Sequence, residues 1–94
     1  MSKKEAYEQN LQVQLEEWNA RIKLLKAKAE KAEADAKVRY YDELDLLREK
    51  QSVMRHKMQE LKNAGDDAWE DLKDGINKAR DSLKDALADA ASRF

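Results

Sequence analysis

Residues 3–63 contain neither glycine nor proline, and this uninterrupted stretch constrains the fold more than any other feature of the chain. Most of its positions hold Ala, Leu, Lys, Glu, Gln or Arg, the residues that lose least side-chain freedom in a helix. Ser2, with Glu5 three residues later, has the spacing of a capping box. The stretch therefore predicts one helix over about residues 3–63. At about 1.5 Å of rise per residue this helix is a rod about 90 Å long, which needs a partner along its length.

An apolar stripe recurs every three or four residues along this predicted helix, and Gln51 is its one polar member. Ala29, Ala32 and Ala36 occupy its centre, where small side chains let a neighbouring helix approach closely. Along the whole chain the stripe advances by about 3.6 residues per step, which favours nearly straight packing or short coiled-coil segments. We predict that the larger stripe residues form an oligomer or partner interface: Leu11, Leu15, Trp18, Ile22, Leu25, Tyr40, Leu44, Leu47, Met54, Met58, Leu61, Trp69, Leu72, Ile76, Leu83 and Leu87.

A turn is predicted at residues 64–66, because Gly65 suits the left-handed C-cap that ends many helices. Asp66 or Asp67 is then expected to cap a second helix. Asp67 and Glu70 have capping-box spacing, and an acidic cluster at this point matches the positive end of a helix dipole. The competing arrangement is a single helix that continues through Gly65.

These elements define an all-α fold, a long helical hairpin whose second helix, over about residues 67–92, folds back on the second half of the first. The first half of the long helix projects. Residues 1–94 form a single helical coiled-coil domain in this prediction, since no proline-rich or glycine-serine-rich linker divides them. An elongated hairpin buries less apolar surface than a compact globule of equal mass. We therefore expect a coiled-coil or helical-bundle homo-oligomer.

The charge composition argues against several classes of function. Charged residues make up 41% of the chain, yet the formal net charge is −1 and the two signs are interspersed. This balance gives no long-range attraction to nucleic acid, so no nucleic-acid partner is expected. The sequence has no cysteine, no signal-peptide core, and no apolar run near the roughly 20 residues of a membrane span. The predicted location is the cytoplasm.

Side chains suited to catalysis are few and scattered. His56 has Ser52 and Glu60 one helical turn away, but it lacks the Glu-x-x-His pattern of di-metal bundles because position 53 is valine. Ser82 and Ser92 have no histidine at helical spacing, and two glycines do not make a phosphate loop or a dinucleotide-binding motif. We predict no enzyme activity, no catalytic residue, no cofactor and no metal site.

Trp18 and Trp69 lie on the apolar stripe, where tryptophan more often anchors an interface than stacks on a ligand. The predicted function is that of a non-enzymatic, self-associating helical structural or interaction protein. The alternative is reversible binding of the second helix to a lipid surface or to a heterologous partner helix. A net acidic polar face and several alanines on its apolar face disfavour an anionic membrane.

The segment AGDDAWEDLK at residues 64–73, with KAEADAK at 31–37 and AASRF at 90–94, resembles a family of small bacterial coiled-coil proteins. Some members of that family are described as stress-response proteins. The likeness extends over most of the chain, and residues 64–73 are its most specific part. It implies a cytosolic, non-enzymatic helical protein with a role in stress response and without catalytic residues.

Overall fold

The computed structural model describes residues 2–94 and shows three α-helices, which run Lys3–Lys31 (α1), Ala34–Asn63 (α2) and Trp69–Arg93 (α3). No strand occurs within residues 2–94, so the predicted all-α class is confirmed. Each helix packs against the other two, and the bundle measures 51 × 20 × 19 Å. Met1, which the sequence places in the predicted domain, lies outside the described residues.

The prediction of one helix over residues 3–63 is wrong, because the chain reverses direction at Ala32 and Glu33. Both residues are extended, with ψ of 157°, and the Ala32 N–H closes α1 by bonding the Ala29 carbonyl at 3.2 Å. The rod of about 90 Å is thus replaced by two antiparallel helices, and the first half of the predicted helix does not project. The structure has three helices where the sequence predicts a hairpin of two.

Apolar burial explains this reversal better than local helix preference does. Most residues differ by only a few tenths of a kcal/mol in helix propensity, whereas burying one large apolar side chain stabilises the fold by about 1.5–3 kcal/mol. A break in the alanine-rich centre lets α1 and α2 cover each other's apolar faces. The residues at the break have small side chains, so little apolar packing is lost there. Lys28 and Lys31 end α1, and Asp35 lies in the first turn of α2, so charges match the helix dipoles on both sides of the break.

The second connection, residues 64–68, includes the predicted turn but differs in its capping. Gly65 does not have a positive φ, so the predicted left-handed C-cap is wrong. The N-cap of α3 is Ala68, not Asp66 or Asp67, and no side chain caps this helix. The helix therefore begins at Trp69, two residues after the predicted start at about residue 67. A single helix continuing through Gly65 is also wrong.

The core of the bundle is apolar throughout. Within residues 2–94 no polar or charged residue is buried. Gln51, the polar member of the stripe, is half-buried, and its amide donates a hydrogen bond to Asn19 Oδ1 at 2.8 Å. The buried side chains come from all three helices: Leu11, Trp18, Ile22, Leu25, Ala29, Leu44, Leu47, Met54, Met58, Leu61, Trp69, Ile76, Leu83, Leu87 and Ala90. The apolar faces of the three helices therefore cover one another within a single chain.

The start of α1 is held by a cap and by a contact with the second connection. The Ser2 hydroxyl accepts a hydrogen bond from the Glu5 N–H at 3.1 Å, which confirms Ser2 as the N-cap. The ammonium of Lys4 donates to the Ala64 carbonyl at 2.6 Å. This bond brings the start of α1 to the end of α2, so α1 and α3 run parallel on either side of the antiparallel α2.

Candidate interaction surfaces

The residues predicted to form an oligomer or partner interface lie mainly inside the bundle of a single chain. Leu15, Tyr40 and Leu72 are half-buried against the core, and the Tyr40 ring centroid lies 4.4 Å from that of Phe94. The others are fully buried: Leu11, Trp18, Ile22, Leu25, Leu44, Leu47, Met54, Met58, Leu61, Trp69, Ile76, Leu83 and Leu87. Their use between chains stays a prediction. It requires the bundle to open for all of them except Trp18, Leu25 and Leu87, which line a groove between α1 and α3.

The polar residues considered for catalysis are not brought together. His56 is exposed on α2, as are Ser52 and Glu60 on either side of it. Ser82 accepts a hydrogen bond from the Lys50 ammonium, and Ser92 donates to a backbone carbonyl one turn earlier in its own helix. Among residues 2–94, no three His, Asp or Glu side chains are grouped so that they could hold a metal ion.

Tyr7 joins α1 to the start of α3. Its hydroxyl donates a hydrogen bond to Asn77 Oδ1, and its ring centroid lies 5.8 Å from that of Trp69. The Lys73 ammonium lies over both rings, 5.6 Å from the Tyr7 centroid and 5.3 Å from the Trp69 centroid. Burial raises the pKa of the Tyr7 phenol, against the opposing effect of the nearby Arg80 guanidinium. These contacts hold the start of α3 against α1, and the phenol of Tyr7 is neutral.

A polar groove of about 380 Å³ separates α2 from the C-terminal half of α3. Two contacts cross the groove: Arg93 donates to Glu43 Oε1, and Lys50 donates to the Ser82 hydroxyl. The other carboxylate oxygen of Glu43, Oε2, is buried without a hydrogen-bond partner. These contacts tie α2 to α3.

A second groove, the α1–α3 groove, is more apolar and more basic. Its volume is about 450 Å³, and a smaller depression of about 350 Å³ that shares Gln14 continues it toward Tyr7. Trp18, Leu25 and Leu87 form its buried floor, with the exposed Leu24 on the α1 wall. Four cationic side chains line the groove and its continuation: Arg21, Lys28, Arg80 and Lys84.

The charges of this groove are only partly neutralised. Arg21 pairs with Glu17 at 2.6 Å, and Arg80 lies 3.5 Å from the Asp81 carboxylate. Lys28 on α1 and Lys84 on α3 make no ion pair within residues 2–94. Two free ammonium groups therefore stand on opposite walls of an apolar floor, in a chain whose formal net charge is −1.

The middle of the solvent side of α2 has the opposite character, between the exposed Arg39, Arg48 and Arg55 on its flanks. We define the outer stripe of α2 as the exposed residues that follow one another by three or four positions on this side: Val38, Asp42, Asp45, Glu49, Val53, His56 and Glu60. Leu46 lies beside this stripe and is also exposed. No Lys or Arg belongs to it, and within residues 2–94 its four carboxylates make no ion pair. Because α2 packs on both α1 and α3, the outer stripe faces away from the α1–α3 groove.

Sequence reasoning did not identify the exposed aliphatic residues of these two surfaces. Val13 and Leu24 on the α1–α3 side are 63% and 64% exposed. On α2, Val38, Leu46 and Val53 are 64%, 49% and 47% exposed. A sequence pattern that could have identified the α2 surface is a second row of residues at three- and four-residue spacing, opposite the apolar stripe. This row contains valine and carboxylates and no Lys or Arg.

Comparison with known proteins finds no matching family model, no matching curated protein and no matching solved structure. Across residues 2–94, no helix combines the length and the apolar character needed to cross a lipid bilayer.

Proposed function

We propose that the chain is a non-enzymatic helical structural protein that acts by self-association of folded three-helix bundles. One observation carries the proposal: large aliphatic side chains remain exposed although the core is closed and wholly apolar. Clustered exposed apolar residues are typical of protein interaction sites, whereas isolated ones are common on any surface. Here all five lie on the two surfaces defined above, two on the side of the α1–α3 groove and three on the solvent side of α2.

The folded bundle changes the reason for expecting association. A rod of about 90 Å needs partners for its whole stripe, but in the bundle that stripe is already covered by the same chain. Association between bundles therefore uses other residues, such as Leu24 and Leu46, and leaves the core intact. Association through the buried stripe requires an exchange of helices between chains, as in domain swapping.

A second candidate is the binding of α3 to a lipid surface or to a partner helix. It is favoured by the uniform character of the buried face of α3, where Trp69, Ile76, Leu83 and Leu87 form an apolar row without a buried polar residue. This row is covered in the closed bundle, so α3 must first be released from α1 and α2. Release costs the apolar burial of the core, which makes closed-bundle association the better-supported function.

Two measurements on the full chain separate these functions. Sedimentation equilibrium over a wide range of protein concentration is expected to show a mass that rises above that of the monomer. Flotation with vesicles of phosphatidylcholine and phosphatidylglycerol at low salt is expected to leave the protein unbound. A monomer at every concentration would refute self-association, and flotation with a loss of Trp18–core contacts would favour the lipid function.

A cytoplasmic location and a role in stress response belong to the same proposal. They are supported by the resemblance of residues 64–73 to stress-related bacterial coiled-coil proteins. Measuring the abundance of the protein in its host before and after osmotic or oxidative challenge tests this part, and an unchanged abundance counts against it.

A further inference from the structure

The two surfaces with exposed aliphatic residues carry unpaired charges of opposite sign. The α1–α3 groove presents the free ammonium groups of Lys28 and Lys84 beside Leu24. The outer stripe of α2 presents carboxylates, among them Asp45 and Glu49, beside Leu46 and Val53. A surface that combines apolar contacts with charges of one sign fits a partner with the same apolar content and the opposite sign.

We propose that the outer stripe of α2 of one copy docks into the α1–α3 groove of the next, so that the protein assembles head to tail into open-ended rows of bundles. This inference rests on the proposed self-association and names its surfaces. An exposed helix lying in the groove between two others completes a four-helix contact of the kind found in helical bundles.

The dimensions of the two surfaces agree. Leu24 and Val13, the exposed aliphatic residues on the groove side of α1, are eleven positions apart, which is about 16 Å along a helix. Val38 and Val53 on α2 are fifteen positions apart, or about 22 Å. The apolar section of the stripe is thus long enough to cover the apolar section of the groove while its carboxylates reach the rims.

Charge excludes the two symmetric alternatives. Groove against groove brings together two surfaces whose unpaired charges are all ammonium groups, and stripe against stripe brings together two sets of carboxylates. Like charges held together across an interface are destabilising. Only groove against stripe joins opposite signs. Because these surfaces lie on opposite sides of one bundle, a pair joined by this contact keeps a free outer stripe on one copy and a free groove on the other, and the contact does not close into a dimer.

The full chain with matched charge reversals tests this arrangement. The double variant K28E/K84E reverses the free charges of the groove, and L46D/V53D places charges on Val53 of the stripe and on Leu46 beside it. The control K23E/K78E makes the same change of net charge on the same two helices, at exposed positions outside the groove. Circular dichroism and thermal unfolding establish that each variant remains folded.

We expect the mass of the wild type in sedimentation to rise with concentration without reaching a plateau. K28E/K84E and L46D/V53D should each associate at least about tenfold more weakly, and K23E/K78E should behave as the wild type. Raising the salt from about 0.1 M to about 1 M should weaken wild-type association, because the Debye length falls from about 10 Å to about 3 Å.

Mixing the two impaired variants gives the sharpest outcome. K28E/K84E keeps an intact stripe and L46D/V53D keeps an intact groove, so the mixture should form a 1:1 dimer and nothing larger. A further variant, K28E/K84E/D45K/E49K, reverses both free charges of the groove and two of the four carboxylates of the stripe, and should recover part of the association lost in K28E/K84E.

The results that overturn the arrangement differ from those that overturn self-association itself. A wild type that stays monomeric refutes both. A wild type that associates while K28E/K84E and L46D/V53D associate equally well, or that stops at a closed dimer, refutes only the head-to-tail contact. Binding of phosphatidylglycerol vesicles that K28E/K84E abolishes, with the protein otherwise monomeric, would assign the groove to lipid and also refute the contact.

Discussion

The adjacent residues Leu24 and Leu25 give a direct test of the single-chain core. Leu25 is 6% exposed and packs in the core, whereas Leu24 is 64% exposed on the wall of the α1–α3 groove. Both lie in the same turn of α1, and leucine and alanine are both strong helix formers. Replacing either with alanine therefore makes the same chemical change in the same local structure, and only the tertiary environment differs.

The structure sets the expected size of each effect. Leu25→Ala removes Cγ and both methyl groups from the core, a loss of about 2.4 kcal/mol at about 0.8 kcal/mol per buried carbon. The cavity left behind adds to this loss, so the free energy of unfolding should fall by about 2.5–4 kcal/mol. Leu24→Ala should change it by less than about 0.5 kcal/mol. For a chain of this length, about 1 kcal/mol shifts Tm by about 5 °C, so the expected difference in Tm is about 10–20 °C.

Thermal unfolding followed by circular dichroism, on dilute protein and again at tenfold higher concentration, measures this difference. The destabilisation by Leu25→Ala should persist in the dilute protein, because its core neighbours belong to the same chain. If the two variants unfold at equal temperatures, Leu25 is not in the core. If the effect of Leu25→Ala disappears on dilution, the residues that cover Leu25 belong to another chain, and the three-helix bundle is refuted.

Three further predictions concern individual positions. Gly75→Ala should raise the free energy of unfolding by about 0.5–1 kcal/mol in denaturant titrations, and Gly65→Ala should not lower it. The reason is that φ is not positive at either glycine and each added Cβ has room. A lower free energy of unfolding for Gly65→Ala would instead support a left-handed C-cap at this residue. Ala29→Leu should cost about 1–3 kcal/mol by overpacking a fully buried site, whereas Ala27→Leu, at an exposed site, should be nearly neutral; equal effects would contradict the close packing at the reversal. Stability should fall as pH rises from the pKa of an unfolded tyrosine through the raised pKa of Tyr7, because in that range only the folded phenol keeps its proton. In thermal melts, Tyr7→Phe should therefore lose less stability than the wild type over this alkaline range. An identical pH profile for the two proteins would count against this role of Tyr7.

The apolar stripe shows how far the sequence predicts the core. Residues such as Leu11, Ile22, Leu44 and Leu83 are identified from helical spacing alone, and all are buried. The spacing does not show which helix covers these residues, or whether that helix belongs to the same chain. The same stripe fits a long rod with partner chains and a chain folded onto itself, because a period of about 3.6 residues specifies which side of a helix is apolar and nothing about its neighbours.

The candidate interaction surfaces were less accessible to sequence reasoning. Leu24 and Lys84 are distant in the chain and become neighbours only when α1 and α3 pack side by side. The outer stripe of α2 is local, and its pattern of valine and carboxylate is present in the sequence. This pattern can be interpreted as a docking surface only together with the oppositely charged groove on the other side of the bundle, and that groove exists only in the tertiary structure.

The sequence by itself determines that the chain is helical, which side of each helix is apolar, and that the helix ends after Asn63, because propensity, periodicity and turn residues act over a few positions. The tertiary structure alone decides the reversal at Ala32 and Glu33. No glycine or proline marks that site, and Lys28 and Lys31 followed by Asp35 are its one local sign. The helix breaks there because burying the stripes of α1 and α2 against each other, summed over many distant pairs, outweighs the local preference to continue.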